Sequence, residues 1–272
     1  MGLRINTNVA SLNAQRNLFN VSGNLQGNFS RLSSGMRIAS ASDDASGLGI
    51  SEKMRSQVRS YGVASRNAQD GISMSQTAEG GMAEAGNILS RMRELAMQSS
   101  NGTLSTEDRT TLNTEFGELI EELDRLASDT EFNGTALLDG STATVDIQVG
   151  LDSGDVIDIS LISVDSTDLA VNASAVDTAA NAGTALGAID TALTSVNTAR
   201  GTVGADQNRM QSALRSILST RENLSAAESR IRDVDVARET ADLTRNSILQ
   251  QAAVSVLSQA NAQPQLALSL LG

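Results

Sequence analysis

From Leu186 to Ile231 the apolar residues keep one 3.5-residue repeat. Leu186, Ile189, Leu193, Val196, Val203, Met210, Leu214, Ile217, Leu224 and Ile231 hold it, and Ala199, Gln207, Arg221 and Glu228 fill the remaining seam positions. That spacing puts every member on one stripe of a helix, and no strand can present it. About 48 residues of helix would extend roughly 70 Å. A helix so long is stable only if other helices cover its stripe. The rest of the chain must therefore supply long partners.

It supplies them. Apolar positions Ile5, Val9, Leu12, Leu18, Val21, Leu25, Phe29 and Leu32 predict a helix over 3–33. Met54, Val58, Tyr61, Ala68, Ile72, Ser75, Met82, Ala85, Leu89 and Met92 predict another over about 47–99, weakened by Gly80, Gly81 and Gly86 unless these permit close approach. Ser105 with Asp108 resembles a capping box, and Leu112, Phe116, Leu119, Leu123 and Leu126 continue a heptad seam from it to about Ser128. A last amphipathic stretch runs through Val234, Ala237, Ala241, Leu243, Ile248, Val254, Val256 and Leu257. EFNGTALLDG (131–140) reads as loop, with Asn-Gly and Asp-Gly turn pairs. TVDIQV (144–149) and VIDISLI (156–162) alternate apolar and polar residues around LDSGD, which is a β-hairpin pattern. Residues 163–183 have no period and read as loop. The expected class is mainly α: a long helical bundle or coiled coil with one small β-hairpin.

Composition narrows the chemistry. Cys and His are absent, so thiol chemistry, imidazole base catalysis and the usual transition-metal ligand sets are unavailable. The chain has one Lys, Lys53, and no phosphate-binding loop. Asp43-Asp44 precedes a helix and reads as a cap, and LDSGD lacks calcium-loop spacing. No cofactor is implied. Between Arg125 and Arg200 lie eleven acids and no base, which accounts for −11 of a formal charge of −12. That argues against nucleic acid as a partner and for a solvent-facing middle. No apolar run approaches a membrane span or a signal-peptide core.

Two features remain. Residues 31–57, RLSSGMRIASASDDASGLGISEKMRSQ, interrupt two helical patterns with small polar residues. Both chain ends offer apolar-faced helices with little charge. They suit burial against other copies of the chain, or equally against its own bundle.

INTNVASLNAQRNL (5–18), LSSGMRIASASDDASGLGISEKMRSQ (32–57), RMRELAMQSSNGT (91–103), EFNG (131–134) and SRIRDVDVARETADLTRNSILQQAAVSVLSQANAQPQLALSLL (229–271) resemble bacterial flagellins, and cover both terminal thirds of the chain. The resemblance implies that the termini pair as an inner helical layer, residues 1–42 with 235–272, which carries polymerisation. Residues 43–143 with 184–234 would form a long bundle layer around it, and 144–183 a hairpin and short exposed segment without a separate outer domain. The quoted interruption would connect the two layers, with its return partner near Arg232–Arg238.

The same resemblance implies a structural subunit of the flagellar filament, secreted through the flagellar type III apparatus and serving swimming motility, with no catalysis and no membrane insertion. Its polymerisation contacts would be Ile5, Val9, Leu12, Leu18, Leu25, Ile248, Val254, Val256, Leu257, Leu268 and Leu271. Expected partners are further copies, an export chaperone on roughly 232–272, and the filament cap and hook-associated proteins. Toll-like receptor 5 is a further expected partner through Arg91, Leu95 and Glu115, although Ser90 stands where a longer polar residue is common. The alternatives are a hook–filament junction protein and, from another class, an enzyme displayed on a filament. The second needs catalytic residues that the short middle does not offer.

Overall fold

The computed structural model describes residues 7–269, with side chains described as far as residue 263. Five helices are joined by two small antiparallel ribbons: α1 (Val9–Ser34), α2 (Ala45–Ser99), α3 (Thr106–Asp129), β1 (Glu131–Phe132), β2 (Thr135–Ala136), β3 (Thr144–Gln148), β4 (Val156–Ser160), α4 (Ala179–Arg232) and α5 (Val236–Ser269). The chain divides into two compact units, Gln57–Glu222 and Met1–Ser56 with Asn223–Gly272.

The Gln57–Glu222 unit holds most of the core. Along α4 the buried positions run Ala182, Ala185, Ile189, Ala192, Val196, Ala199, Val203, Asp206 and Met210, an unbroken alternation of three and four, with Ile217 buried seven residues further on. The seam thus runs through alanines that the apolar pattern passed over, and Asp206 rather than Gln207 is its buried polar member. Asp206 is held by Arg209 at 3.0 Å. Met82, Leu89, Met92 and Leu95 of α2 and Phe116 and Leu123 of α3 are fully buried in the same cluster. Arg93 bonds Asp190 at 2.6 Å, and Gln207 donates to Glu79 at 3.3 Å, so α2 and α4 run antiparallel.

Helix α3 begins at a complete capping box. The Asp108 N–H donates to Ser105 Oγ at 3.2 Å and the Ser105 N–H returns to Asp108 Oδ2 at 3.1 Å. The Ser105 hydroxyl and N–H hold the Asp108 carboxyl below its ordinary range. Arg109, buried, donates to the Asn101 carbonyl at 2.7 Å and ties down the preceding turn.

The stretch expected to be loop at 131–140 contains the β1–β2 ribbon, with Glu131 opposite Ala136 and Phe132 opposite Thr135. Asn133 and Gly134 both take positive φ, 51° and 76°, as a two-residue hairpin turn of primed type requires. Two-residue strands are too short to show alternation. Residues 161–176 lack regular structure but bury Leu161, Val164, Leu169, Val171 and Val176 against the bundle. This strap is pinned by side chains. Asn113 accepts from the Val176 N–H at 2.8 Å, the buried Ser99 hydroxyl donates to the Val176 carbonyl, and Asp124 accepts from the Ser166 N–H at 2.8 Å and its hydroxyl at 3.0 Å. Asp124 and Asp165 also share a hydrogen bond. It raises Asp165, with burial adding to the rise. In Asp124 burial pushes upward, but the bonds from Asp165 and Ser166 outweigh it, and the net shift is down.

Of the α2 glycines, Gly81 marks a close approach: a Cβ there would lie 2.6 Å from Leu138 Cδ1 and 2.9 Å from Thr130 Oγ1. Gly80 and Gly86 face open space. The β3–β4 hairpin pairs Val145 with Ile159 and Ile147 with Ile157 on its buried face, and Asp146 with Asp158 on its exposed face.

Candidate self-assembly surface

In the unit formed by the chain ends, α1 and α5 pack along each other. Asn8 donates to the Ala260 carbonyl and Ser11 to Asn261, both at 2.7 Å, while Arg31 lies 3.9 Å from Glu239 at the other end, so the pair is antiparallel. Where the N-terminal helix ends, Gly35 adopts φ 69°, a left-handed cap that suits glycine. The chain then crosses as a short extended piece. Met36 bridges to Asp233, the Arg37 N–H donates to the Arg232 carbonyl at 2.6 Å, and the Val234 N–H donates to the Gly35 carbonyl at 3.0 Å. The return partner thus falls inside the expected Arg232–Arg238. Ile38 is buried to 1% exposure at the end of this crossing, and the small residues after it are spent on turn bonds. Asp43 accepts from the Ser40 N–H and hydroxyl and from the Ala39 N–H. These bonds, led by the Ser40 N–H and aided by Arg31, hold its carboxyl below the ordinary range. Asp44 accepts from the Gly47 N–H at 2.8 Å at the start of α2. Both acids therefore serve the turn and the helix start.

The seam between α1 and α5 is weak in apolar terms. The least exposed positions of α1 are Ser11, Ala14, Leu18, Val21, Leu25, Asn28 and Leu32, a heptad alternation that contains two polar residues. Those of α5 include Glu239, Leu243, Asn246, Gln250, Ala253, Leu257 and Ala260. The stronger apolar side chains point elsewhere. Among the described residues thirteen large hydrophobics are exposed, and nine of them lie on these two helices: Val9, Leu12, Phe19, Phe29, Val236, Ile248, Leu249, Val254 and Val256. Phe19 is 80% exposed and Ile248 61%. No charged residue lies between Arg16 and Arg31, and none follows Arg245. An apolar surface of this extent without charge is the mark of an interaction site.

The expected contact residues divide between two faces. Val9, Leu12, Ile248, Val254 and Val256 are outward and exposed, whereas Leu18, Leu25 and Leu257 are half-buried at seam positions. Ile5 and Leu271 lie outside the described residues, as does the side chain of Leu268. Phe19, Phe29, Val236 and Leu249 share the exposed surface but were not in the expected set. Phe19 and Leu249 fall off the strongest apolar period, which follows the seam.

The three residues expected at a receptor surface lie together in the Gln57–Glu222 unit, but not alike. Arg91 bonds Glu115 at 2.8 Å and Glu94 at 3.0 Å, and these bonds, Glu115's first, raise its pKa further. Leu95 beside them is 0% exposed, so its side chain is core and offers no surface. Among the described residues no group of three or more acidic side chains could hold a metal ion, and no helix is long and apolar enough to cross a membrane. One open cleft, about 470 Å³, is lined by Asp70, Met74, Phe132, Asn133, Thr135 and Val145.

Two end helices with outward apolar faces, on a chain that is otherwise a well-packed bundle, define a self-assembling helical subunit. The comparisons agree. Residues 5–143 match the bacterial flagellin N-terminal helical region and residues 186–271 the bacterial flagellin C-terminal helical region. The chain is 48% identical to a flagellin of Halalkalibacterium halodurans, over 98% of this chain and 99% of that one. It is 41% identical to a flagellin of Bacillus subtilis, over 99% and 100%. The crystal structure of Bacillus cereus flagellin superposes with a TM-score of 0.52 at 33% identity, over 60% of this chain and 94% of that one. The chain belongs to the bacterial flagellin family and is a structural subunit of the flagellar filament.

Proposed function

We propose that the outward faces of α1 and α5 are the surfaces by which copies of this chain bury one another in the filament, with Val9, Leu12, Ile248, Val254 and Val256 as direct contacts. Leu18, Leu25 and Leu257 hold the two helices together so that those faces are presented. Ile5, Leu268 and Leu271 belong to the same proposed set of contacts. The observation that carries this is the concentration of exposed apolar side chains on an almost uncharged helix pair. In this reading residues 1–42 with 235–272 form the inner, polymerising layer, 43–143 with 184–234 the bundle layer, and 144–183 the short exposed segment. The role is mechanical and no reaction is catalysed.

The protein acts outside the cell, after export through the flagellar type III apparatus. A chaperone covering roughly 232–272 would keep the apolar face of α5 from premature association. Cap and hook-associated proteins meet the same end helices at the filament's two limits. Toll-like receptor 5 would engage Arg91 and Glu115, with Leu95 supporting them from beneath.

Seeded polymerisation followed by sedimentation and electron microscopy tests the reading. The full chain should extend seeds into long tubes, and the chain lacking 1–42 and 235–272 should remain monomeric and helical. Polymerisation of the truncated chain would sink the assignment.

A further inference from the structure

The Gln57–Glu222 unit carries ten basic and twenty-four acidic side chains. Cations are scarce in it, and five of the ten are committed. Arg91, Arg93, Arg125 and Arg209 are ion-paired, and Arg109 is bound to backbone. Four exposed arginines, Arg59, Arg66, Arg215 and Arg221, have no ion-pair or hydrogen-bond partner among the described residues. Asp70, four residues beyond Arg66, makes no pair with it.

These four collect at one level. Arg59 and Arg66 lie seven residues apart on one stripe of α2. The antiparallel register fixed by Arg93–Asp190 and Gln207–Glu79 brings Arg215 and Arg221 of α4 alongside the same stretch of α2. The β3–β4 hairpin sits at this level too. Asn67 donates to the Gln148 carbonyl at 3.1 Å, and a Cβ on Gly71 would lie 3.0 Å from Ile147 Cγ1.

The outer face of that hairpin is electrostatically unfinished. Asp146 and Asp158 are direct cross-strand partners and both are exposed. Like charges directly opposite each other in an antiparallel pair repel and weaken it. Their neighbours on this face are Thr144, Ser160, Gln148 and Val156, and no basic residue occurs anywhere from 126 to 199. Neither acid has an ion-pair partner among the described residues. One level of the bundle therefore carries an anionic face on the hairpin and four uncommitted arginines, two on α2 and two on α4.

We propose that the outer face of the hairpin is an ion-pairing surface for a second copy of this chain, whose uncommitted arginines, Arg59 with Arg66 on α2 or Arg215 with Arg221 on α4, supply the cations that Asp146 and Asp158 lack. Two unlike patches on one subunit, one cationic and one anionic, make a head-to-tail contact that continues from copy to copy. It sets register and orientation between neighbours, which charges across an interface do better than they add affinity. The proposal rests on the filament reading and adds a lateral contact to it.

Charge-swap polymerisation tests it, with the wild-type chain grown from seeds in parallel at low and high salt. Failure of the wild-type chain to grow would strike the filament reading itself. With wild-type growth established, Asp146→Lys with Asp158→Lys should raise the critical concentration about tenfold at low salt. The penalty should shrink as salt screens it. Combining that pair with Arg59→Glu and Arg66→Glu, or with Arg215→Glu and Arg221→Glu, should recover most of the loss for one combination. Asp158→Asn separates assembly from folding. It should raise the melting temperature of the monomer, because the cross-strand repulsion is gone, and still weaken assembly. Reversal variants that polymerise like wild type would overturn the proposal. So would the failure of both swaps to rescue, or wild-type growth that depends on divalent cations and stops in a chelator.

Discussion

The α1–α5 pair and the bundle of α2, α3 and α4 are built on the same heptad alternation, and they use it in opposite ways. In the bundle the seam closes within the chain: on α4 it runs mostly through Ala, Ile, Val and Met, its one acid, Asp206, is ion-paired, and Met82, Leu89, Leu95, Phe116 and Leu123 of α2 and α3 are buried to 1% exposure or less. In the terminal pair the seam admits Ser11, Asn28, Glu239, Asn246 and Gln250, while Phe19, Ile248 and Val254 are left outside. Periodicity decides that a helix will pair. The side chains off the seam decide whether pairing finishes the burial. The bundle is finished within one chain, and the terminal pair is finished only among several.

Four tests would break or sharpen this contrast, ordered by their expected effect on the isolated chain. Phe116→Ala should destabilise the bundle by about 3–5 kcal/mol through the cavity it leaves, measured by denaturant unfolding. A loss under about 1 kcal/mol would mean that the bundle core is looser than described. Gly81→Val should cost about 1–3 kcal/mol, because Leu138 and Thr130 already occupy the space. Gly80→Ala and Gly86→Ala, which face open space, should instead stabilise by up to about 1 kcal/mol each.

The third is a pH effect on the strap. Asp165 is raised in the folded chain, so its contribution is complete below the unfolded value and is lost as pH rises through the folded one. Asp124 is lowered, so its contribution is present above the unfolded value and is lost as pH falls through the folded one. The pair is strongest in the window between the two, with one shared proton. Asp165→Asn keeps a donor toward Asp124 without the second charge. It should raise the melting temperature by roughly 1–3 °C at neutral pH and change little inside the acidic window. A lower melting temperature at neutral pH would refute the shared-proton account. Last, Ile248→Ser with Val254→Ser should move monomer stability by no more than about 0.5 kcal/mol, since both side chains are solvated. It should nevertheless suppress growth on seeds. Normal growth would relocate the assembly surface.

Much of this was legible in the residues. The long heptad of α4, the capping box at Ser105 and the 144–160 hairpin each carry a period or a turn signal that few other structures can produce. The strap at 161–176 does not. Its buried valines and leucines follow the contours of the bundle, and irregular backbone has no period to read. The α1 surface was half legible. Apolar spacing named Val9, Leu12, Leu18 and Leu25 together, but sequence could not separate the outward pair from the half-buried one. Both faces are apolar, and the seam polar residues, Ser11 and Asn28, look like solvent-facing positions until the partner helix is in place. Leu95 showed the converse. Its place on a heptad helix marks it as packing by default, and it is fully buried in the core cluster.

The seam of α4 has a mechanical consequence. From Ala182 to Val203 it is built from Ala182, Ala185, Ala192 and Ala199 alternating with Ile189, Val196 and Val203. Alanine has no rotamer to change, and β-branched residues in a helix are nearly confined to one. Such a joint has little conformational slack to take up when the helices are sheared or twisted past each other. A helical bundle packed this way passes a turning load along α4 with little lost to side-chain rearrangement.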